Sequence, residues 1–112
     1  MDKELPVFTL SYDLLKWFCS KYDEYPKKYK YILGEKLTNT LLEMVDDITE
    51  ARFRKVKGDY ISSALTKSEK AKYLARLSKD MNCISIGDYE KFSISIVEIG
   101  KMLTGWQKYI LK

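Results

Sequence analysis

The sequence contains no histidine, only two cysteines and two prolines, and five glycines that do not form a glycine-rich loop. Without histidine, the chain lacks the commonest general base and the commonest metal ligand of proteins. Cys19 and Cys83 are too few and too far apart for a disulfide framework or a zinc site. No phosphate-binding GxxxxGK[ST] motif is present either. The composition therefore disfavours an enzyme, and we expect no metal and no cofactor.

Long apolar runs are also missing. No run approaches the ~20 residues that a helix needs to cross a bilayer. The first residues, MDKELPVF, include acids where a signal peptide has basic residues, and they lack an apolar core. We therefore expect a cytoplasmic protein that does not bind membranes.

The apolar content is nevertheless sufficient for one folded unit. Of the 112 residues, 46% are hydrophobic and 32% are charged, which is not the composition of a disordered chain. A chain of this length can bury roughly two-thirds of its unfolded surface. We predict a single domain over residues 1–112.

Apolar residues recur every three or four positions along four stretches, which predicts four helices. Their expected limits are 7–24, 28–54, 60–81 and 86–109. The stripe of the second helix consists of Leu33, Leu37, Leu41, Met44, Ile48 and Ala51. Pro26 marks the first boundary, and Ser85 to Asp88 resembles a capping box at the start of the fourth helix. Because the links are short, we predict an all-α fold, an antiparallel up-down-up-down four-helix bundle.

The first predicted helix is apolar over a wide arc. One stripe consists of Val7, Leu10, Leu14 and Trp17, and a second of Phe8, Tyr12, Leu15, Cys19 and Tyr22. Such a helix is either covered on both sides within the monomer or faces a core and a partner chain. Gly100 and Gly105 weaken the last helix unless another backbone lies close. The candidate residues of a subunit interface are Leu10, Leu14, Trp17, Gly100 and Trp106.

Positive charge is concentrated in the middle of the chain. Residues 1–24 hold three lysines and five acids, whereas residues 25–84 hold 13 basic and 8 acidic residues. The candidate phosphate contacts are Lys27, Lys28, Lys30, Arg52, Arg54, Lys55, Lys57, Arg76 and Lys79. In an antiparallel bundle Lys27, Lys28 and Lys30 would lie near Arg76 and Lys79, with the remaining four at the opposite end. Ordinary solubilising charge is the alternative interpretation.

Two other patterns allow a chemical interpretation. Glu43, Asp46, Asp47 and Glu50 share one side of the second helix, as carboxylates do in di-metal bundles, but those sites also need histidine. We therefore predict a solvated face with ion pairs to basic residues of a neighbouring helix. The two tryptophans and nine tyrosines could stack on bases, but at helical spacing they are more typical of a core or interface.

Three stretches together resemble a known family. They are YPKKYKYILGEKL at 25–37, LARLSKDMNCISIGDYE at 74–90 and EIGKMLTGW at 98–106. They resemble the bacterial four-helix bundle family that includes the accessory variability determinant of diversity-generating retroelements. Proteins encoded within intervening sequences of ribosomal RNA genes are related to it. The resemblance covers about residues 7–109, and YILGEKLTNTLLEMVDDITEAR is similar to the retroelement branch.

The resemblance implies a homopentamer of four-helix bundles with a basic surface and no catalytic residues. In the retroelement branch, that pentamer binds nucleic acid and the reverse transcriptase and supports mutagenic cDNA synthesis. Our leading hypothesis is a non-catalytic accessory protein that binds RNA or DNA together with a reverse transcriptase. The alternative is an oligomeric protein-interaction scaffold, stand-alone or of the ribosomal intervening-sequence type, that binds no nucleic acid.

Overall fold

The first helix of the protein begins at a proline. A computed structural model describes residues 5–111, and α1 spans Pro6–Lys21. Proline suits this first position because no backbone N–H is needed there. A 3-10 turn, Tyr22–Glu24, follows, and the backbone of Tyr25 is then extended, as expected before Pro26.

The second helix, α2, covers residues 27–53 and consists of three segments, two of them α-helical and one π-helical. A short α-helical turn, Lys27–Tyr29, leads into a π-helical segment, Lys30–Gly34, and then into a regular α-helix, Glu35–Phe53. The rings of Tyr22 and Tyr25 pack on Gly34, where a Cβ atom would lie 3.2 Å from a ring carbon of each. Close packing therefore explains a glycine at a position where it weakens the helix.

The remaining two helices are α3, Gly58–Asp80, and α4, Ile86–Ile110. The end of α3 is a Schellman motif, because the N–H of Cys83 donates to the carbonyl oxygen of Ser78 at 2.7 Å and Asn82 adopts a left-handed φ of 60°. Ser85 caps α4 by accepting the backbone N–H of Asp88 at 3.0 Å. This bond is half of the predicted capping box.

The four helices surround one hydrophobic core, with α1 and α3 each packed against α2 and α4. The start of α2 lies beside the end of α3, since the hydroxyl of Tyr25 donates to Ser78 Oγ at 2.8 Å. The end of α4 lies beside the start of α3, where Gln107 donates to Ser62 Oγ at 3.1 Å. Within residues 5–111 every regular element is helical, so the all-α prediction is confirmed. The contacts are consistent with the predicted up-down-up-down order.

The predicted core stripe of α2 is buried in full. In α1 the buried face instead runs between the two predicted stripes, through Ser11 and Phe18, and Tyr12 is 50% exposed. Helical spacing alone allowed two stripes on this helix. The orientation of α1 is set by the helices that it contacts, which its own sequence does not specify.

Candidate nucleic-acid interface

Lys27 and Lys28 lie in the first turn of α2, and both side chains are exposed. Neither forms an ion pair with an acid among residues 5–111. The hydrogen bond between Tyr25 and Ser78 joins this turn to the end of α3. These two lysines are therefore held on a fixed backbone while their ammonium groups remain open to solvent.

Lys30 is already paired. Its Nζ donates to Asp23 Oδ1 at 2.9 Å and lies 5.0 Å from the ring centre of Tyr22. The hydrogen bond with Asp23 raises the pKa of Lys30. Lys30 thus links the 3-10 turn to the π-helical segment, and a phosphate would have to compete with a carboxylate for it.

Arg76 and Lys79 are the basic residues that α3 contributes near this end of the bundle. Arg76 is exposed, and it lies two residues before Ser78, the partner of Tyr25. Lys79 Nζ lies 3.4 Å from a carboxylate oxygen of Asp80 and 4.7 Å from the ring centre of Tyr89. An exposed ion pair contributes only about 0–1 kcal/mol, so Asp80 holds Lys79 weakly. We call the five basic residues at this end the α2-start cluster: Lys27, Lys28, Lys30, Arg76 and Lys79.

The other predicted basic residues follow one another where α2 ends, and we call them the α2-end cluster: Arg52, Arg54, Lys55 and Lys57. Lys55 is exposed. Arg54 Nε donates to Glu50 Oε2 at 2.8 Å, and this hydrogen bond raises the pKa of Arg54. The Arg52 guanidinium lies 5.0 Å from the ring centre of Phe53. The four cations therefore differ in how available they are to a ligand.

Lys57 has a structural role in this cluster. Its Nζ donates to the carbonyl oxygens of Ala51 at 2.7 Å, Arg52 at 3.2 Å and Arg54 at 2.8 Å. Carbonyl groups at the end of a helix lack intrahelical partners. A cation at this position also interacts favourably with the negative end of the helix dipole. An ammonium group has three donors, so all of them are in use. A phosphate would have to displace this cap.

We expect Lys57→Met to lower the free energy of unfolding by about 1–2 kcal/mol, because it removes a charged cap from the end of α2. Lys55→Met is the matched control, since it removes the same charge from an exposed side chain two residues earlier. It should change stability by less than about 0.5 kcal/mol. Urea unfolding followed by circular dichroism measures both variants, and equal stabilities would contradict the capping role.

The acidic run of α2 takes part in ion pairing. Asp47 Oδ2 accepts from Lys67 Nζ at 2.9 Å and from Ser63 Oγ at 2.6 Å, and both donors belong to α3. The predicted pairing with a neighbouring helix is therefore found at Asp47. Within residues 5–111, no three His, Cys, Asp or Glu side chains are grouped so that they could hold a metal ion.

The predicted interface residues differ in how much surface they offer a partner chain. Leu14 is only 4% exposed and belongs to the monomer core, so it has almost no surface to offer. Leu10, Trp17 and Trp106 are partly buried and pack at the edge of that core. These three side chains keep part of their apolar surface accessible on α1 and α4.

Gly100 has a different environment from the other predicted interface residues. For both Gly100 and Gly105, the position that a Cβ would take has no atom of the described residues within 4 Å, apart from its chain neighbours and the backbone of its own helix. Both line a groove of about 400 Å³ between α3 and α4, together with Lys72, Lys101 and Lys108. Packing within residues 5–111 therefore does not explain these two glycines, in contrast to Gly34.

The structure adds exposed apolar side chains that the sequence pattern did not single out. They occur where α2 and α4 end: Phe53, Val56, Tyr109 and Leu111. An ideal Cβ on Gly58, the first residue of α3, would lie 4.0 Å from Ile110, so the start of α3 meets the end of α4. Helical periodicity carries little information about a side chain in the last turn or beyond it, so no sequence pattern indicated these four residues.

A comparison with protein families finds a match over most of the chain. A family model described as bAvd-like matches residues 8–110 of this chain. The comparison with curated proteins found none. The matched range includes both basic clusters and nearly all of the four helices. No helix within residues 5–111 is long and apolar enough to cross a membrane.

Proposed function

Because the chain belongs to the bAvd-like family, we propose that it is a non-catalytic accessory protein of a diversity-generating retroelement. In this role it binds nucleic acid and a reverse transcriptase and thereby supports mutagenic cDNA synthesis. The observation that carries the proposal is the match over residues 8–110, which agrees with the resemblance to the accessory variability determinant. The exposed cations of the two clusters support the nucleic-acid part of the proposal.

Within the two clusters, phosphate contacts are assigned first to the exposed cations that lack a carboxylate partner among residues 5–111. These are Lys27, Lys28, Lys55 and Arg76. Lys30, Arg54 and Lys79 come second, because an acid already pairs with each of them. Contacts to phosphates carry no sequence information, so we expect binding with weak sequence preference.

We also propose that the binding form is a homo-oligomer, and a pentamer by the family resemblance. A monomer at +4 attracts a polyanion weakly, whereas five copies would carry +20 and repeat each cluster around a ring. The partly buried Leu10, Trp17 and Trp106 support an interface formed by α1 and α4. The open space beside Gly100 supports close approach of another chain.

Binding of structured RNA at two salt concentrations tests the nucleic-acid part. If the oligomer engages 6–10 phosphates, affinity should fall ~10³–10⁵-fold between about 50 and about 200 mM salt. Sedimentation of the same samples gives the subunit number. No binding at low salt, or binding without salt dependence, would contradict the nucleic-acid part. A monomer at the working concentration would contradict the oligomer.

Charge reversal tests the α2-start cluster. Lys27→Glu with Lys28→Glu lowers the net charge per subunit from +4 to zero, and we expect binding to weaken by about tenfold or more at the same salt. The fold should persist, because both side chains are exposed. Glutamate in a first helical turn also interacts favourably with the positive end of the helix dipole. The control, Lys36→Glu with Lys70→Glu, reverses two exposed charges outside the clusters and outside the candidate interface. An equal loss in the control would show that net charge governs binding.

A second candidate function is an oligomeric scaffold for another protein. The exposed apolar side chains of Tyr31, Ile32 and Ile94 favour it, because large apolar groups on a surface commonly mark protein contacts. A scaffold would sediment as an oligomer and would not bind RNA at low salt. Co-purification with a reverse transcriptase encoded by an adjacent gene would favour the accessory role.

A further inference from the structure

The end of the bundle where α2 and α4 finish combines exposed aromatic rings with cations. Phe53 is the last residue of α2 and is 71% exposed, and Tyr109 in the last turn of α4 is 73% exposed. Aromatic side chains are normally among the largest contributors of buried area. Two rings that stay open at one end, beside the α2-end cluster, therefore suggest a ligand with flat faces.

A hollow of about 640 Å³ lies at this end, lined by Lys55, Val56, Lys57, Gly58, Tyr109 and Ile110. Tyr109 forms part of its wall, and the exposed residue Lys55 lies on the same rim. Lys57 is bound to three carbonyl oxygens, so it holds the segment that carries Lys55 and Val56 in place. The hollow is therefore built before any ligand arrives.

Phe53 precedes Lys55, a residue of this hollow, by two positions, and the guanidinium of the neighbouring Arg52 lies beside its ring. The Arg52 guanidinium is 5.0 Å from the ring centre. A guanidinium plane attracts phosphate and also stacks on bases, so ring and cation together suit a nucleotide. Residues 50–60 hold four basic residues and two acids, and the field at this end is positive.

We propose that this end of the bundle is a stacking platform for single-stranded nucleic acid. Unpaired bases stack on Phe53 and Tyr109, and Lys55 attracts the adjacent phosphates. The inference rests on the proposed nucleic-acid function and adds the form that is bound. In a duplex the faces of the bases are already stacked on one another, so exposed rings gain little from it, whereas every unpaired base offers a face.

Positive charge favours this ligand over a second copy of the chain. Two identical copies meeting at this end would bring together two surfaces of the same sign, which disfavours association. A polyanion, by contrast, is attracted to each of these positively charged surfaces. Stacking also tolerates any base, in agreement with the weak sequence preference expected from phosphate contacts.

Two labelled probes test the platform: an unstructured single strand of about 16 nucleotides and a duplex of the same length. The full-length protein should bind the single strand more tightly at equal salt. Phe53→Leu with Tyr109→Leu should weaken single-strand binding by about tenfold or more, because each stacked ring contributes roughly 5- to 150-fold. Duplex binding should change by less than about twofold, since no charge is removed.

Two further variants test whether a loss of binding is due to the two rings themselves and not to substitution in general. Phe53→Tyr with Tyr109→Phe keeps both rings and should bind as the unchanged protein does. Tyr12→Leu removes a ring that is half exposed on α1 and should leave both affinities unchanged. Circular dichroism and urea unfolding of each variant show whether it is folded.

The outcomes distinguish the platform from the proposed function. No loss in the double leucine variant, or an equal loss for single strand and duplex, overturns the platform and leaves nucleic-acid binding intact. No binding of either probe by the unchanged protein overturns both. A changed subunit number with unchanged binding would assign the rings to a protein interface and would overturn the platform as well.

Discussion

Replacing Phe18 with alanine is expected to lower the free energy of unfolding by about 3–5 kcal/mol. The ring is 1% exposed and is packed edge-on against two others, with centres 5.9 Å from that of Tyr25 and 6.1 Å from that of Phe92. It therefore joins α1 to the segment before α2 and to α4. Alanine would leave a cavity between three elements that cannot all close around it. A domain of this size is stable by only about 5–15 kcal/mol, so the effect is large.

Urea unfolding of the Phe18→Ala variant measures this loss. Phe18→Leu refills most of the volume and should cost less than about 1.5 kcal/mol. Tyr12→Ala is the surface control on the same helix, and because Tyr12 is half exposed we expect a loss of less than about 1 kcal/mol. A loss below about 1 kcal/mol for Phe18→Ala would show that this ring is not part of the core.

The core of α2 could be predicted from the sequence, whereas that of α1 could not. In α2 the apolar stripe has polar residues on both sides, so its burial follows from spacing alone. In α1 there are two apolar stripes, and the face that is buried in the core lies between them. That line includes Ser11, whose hydroxyl is buried without a hydrogen-bond partner in the part of the chain described. A buried, unpaired hydroxyl is unfavourable, so no pattern based on polarity identifies it.

The basic clusters could also be identified from the sequence, but the availability of each cation could not. The pairing of Arg54 with Glu50 follows from their four-residue spacing on one helix. The pairing of Lys30 with Asp23 depends on the turn at Pro26, which brings two helical segments together. Lys57 reaches back to three carbonyl groups only because the chain turns sharply after α2. Pairing between elements requires the tertiary structure.

Raising the pH from about 10 to about 12 is expected to destabilise the protein through Tyr25. Burial raises the pKa of Tyr25 from 10.0 to about 12. The folded chain therefore keeps the phenol proton across a pH range in which the unfolded chain loses it. Stability from this group is complete below pH 10 and is lost progressively towards pH 12, by about 2–3 kcal/mol in total.

The Tyr25→Phe variant isolates this effect from the lysines, which titrate in the same pH range. It removes the ionisable group and keeps the ring that packs on Phe18 and Gly34. Ser78 Oγ still donates to Leu74 O at 2.8 Å, so we expect a loss of only about 1 kcal/mol at pH 8. Between pH 10 and 12 the variant should lose less stability than the unchanged protein. An equal loss of stability in the variant and the unchanged protein between pH 10 and 12 would contradict the assignment of this effect to Tyr25. Because Tyr25 also joins the first turn of α2 to the end of α3, its ionisation would act on the link that supports Lys27 and Lys28.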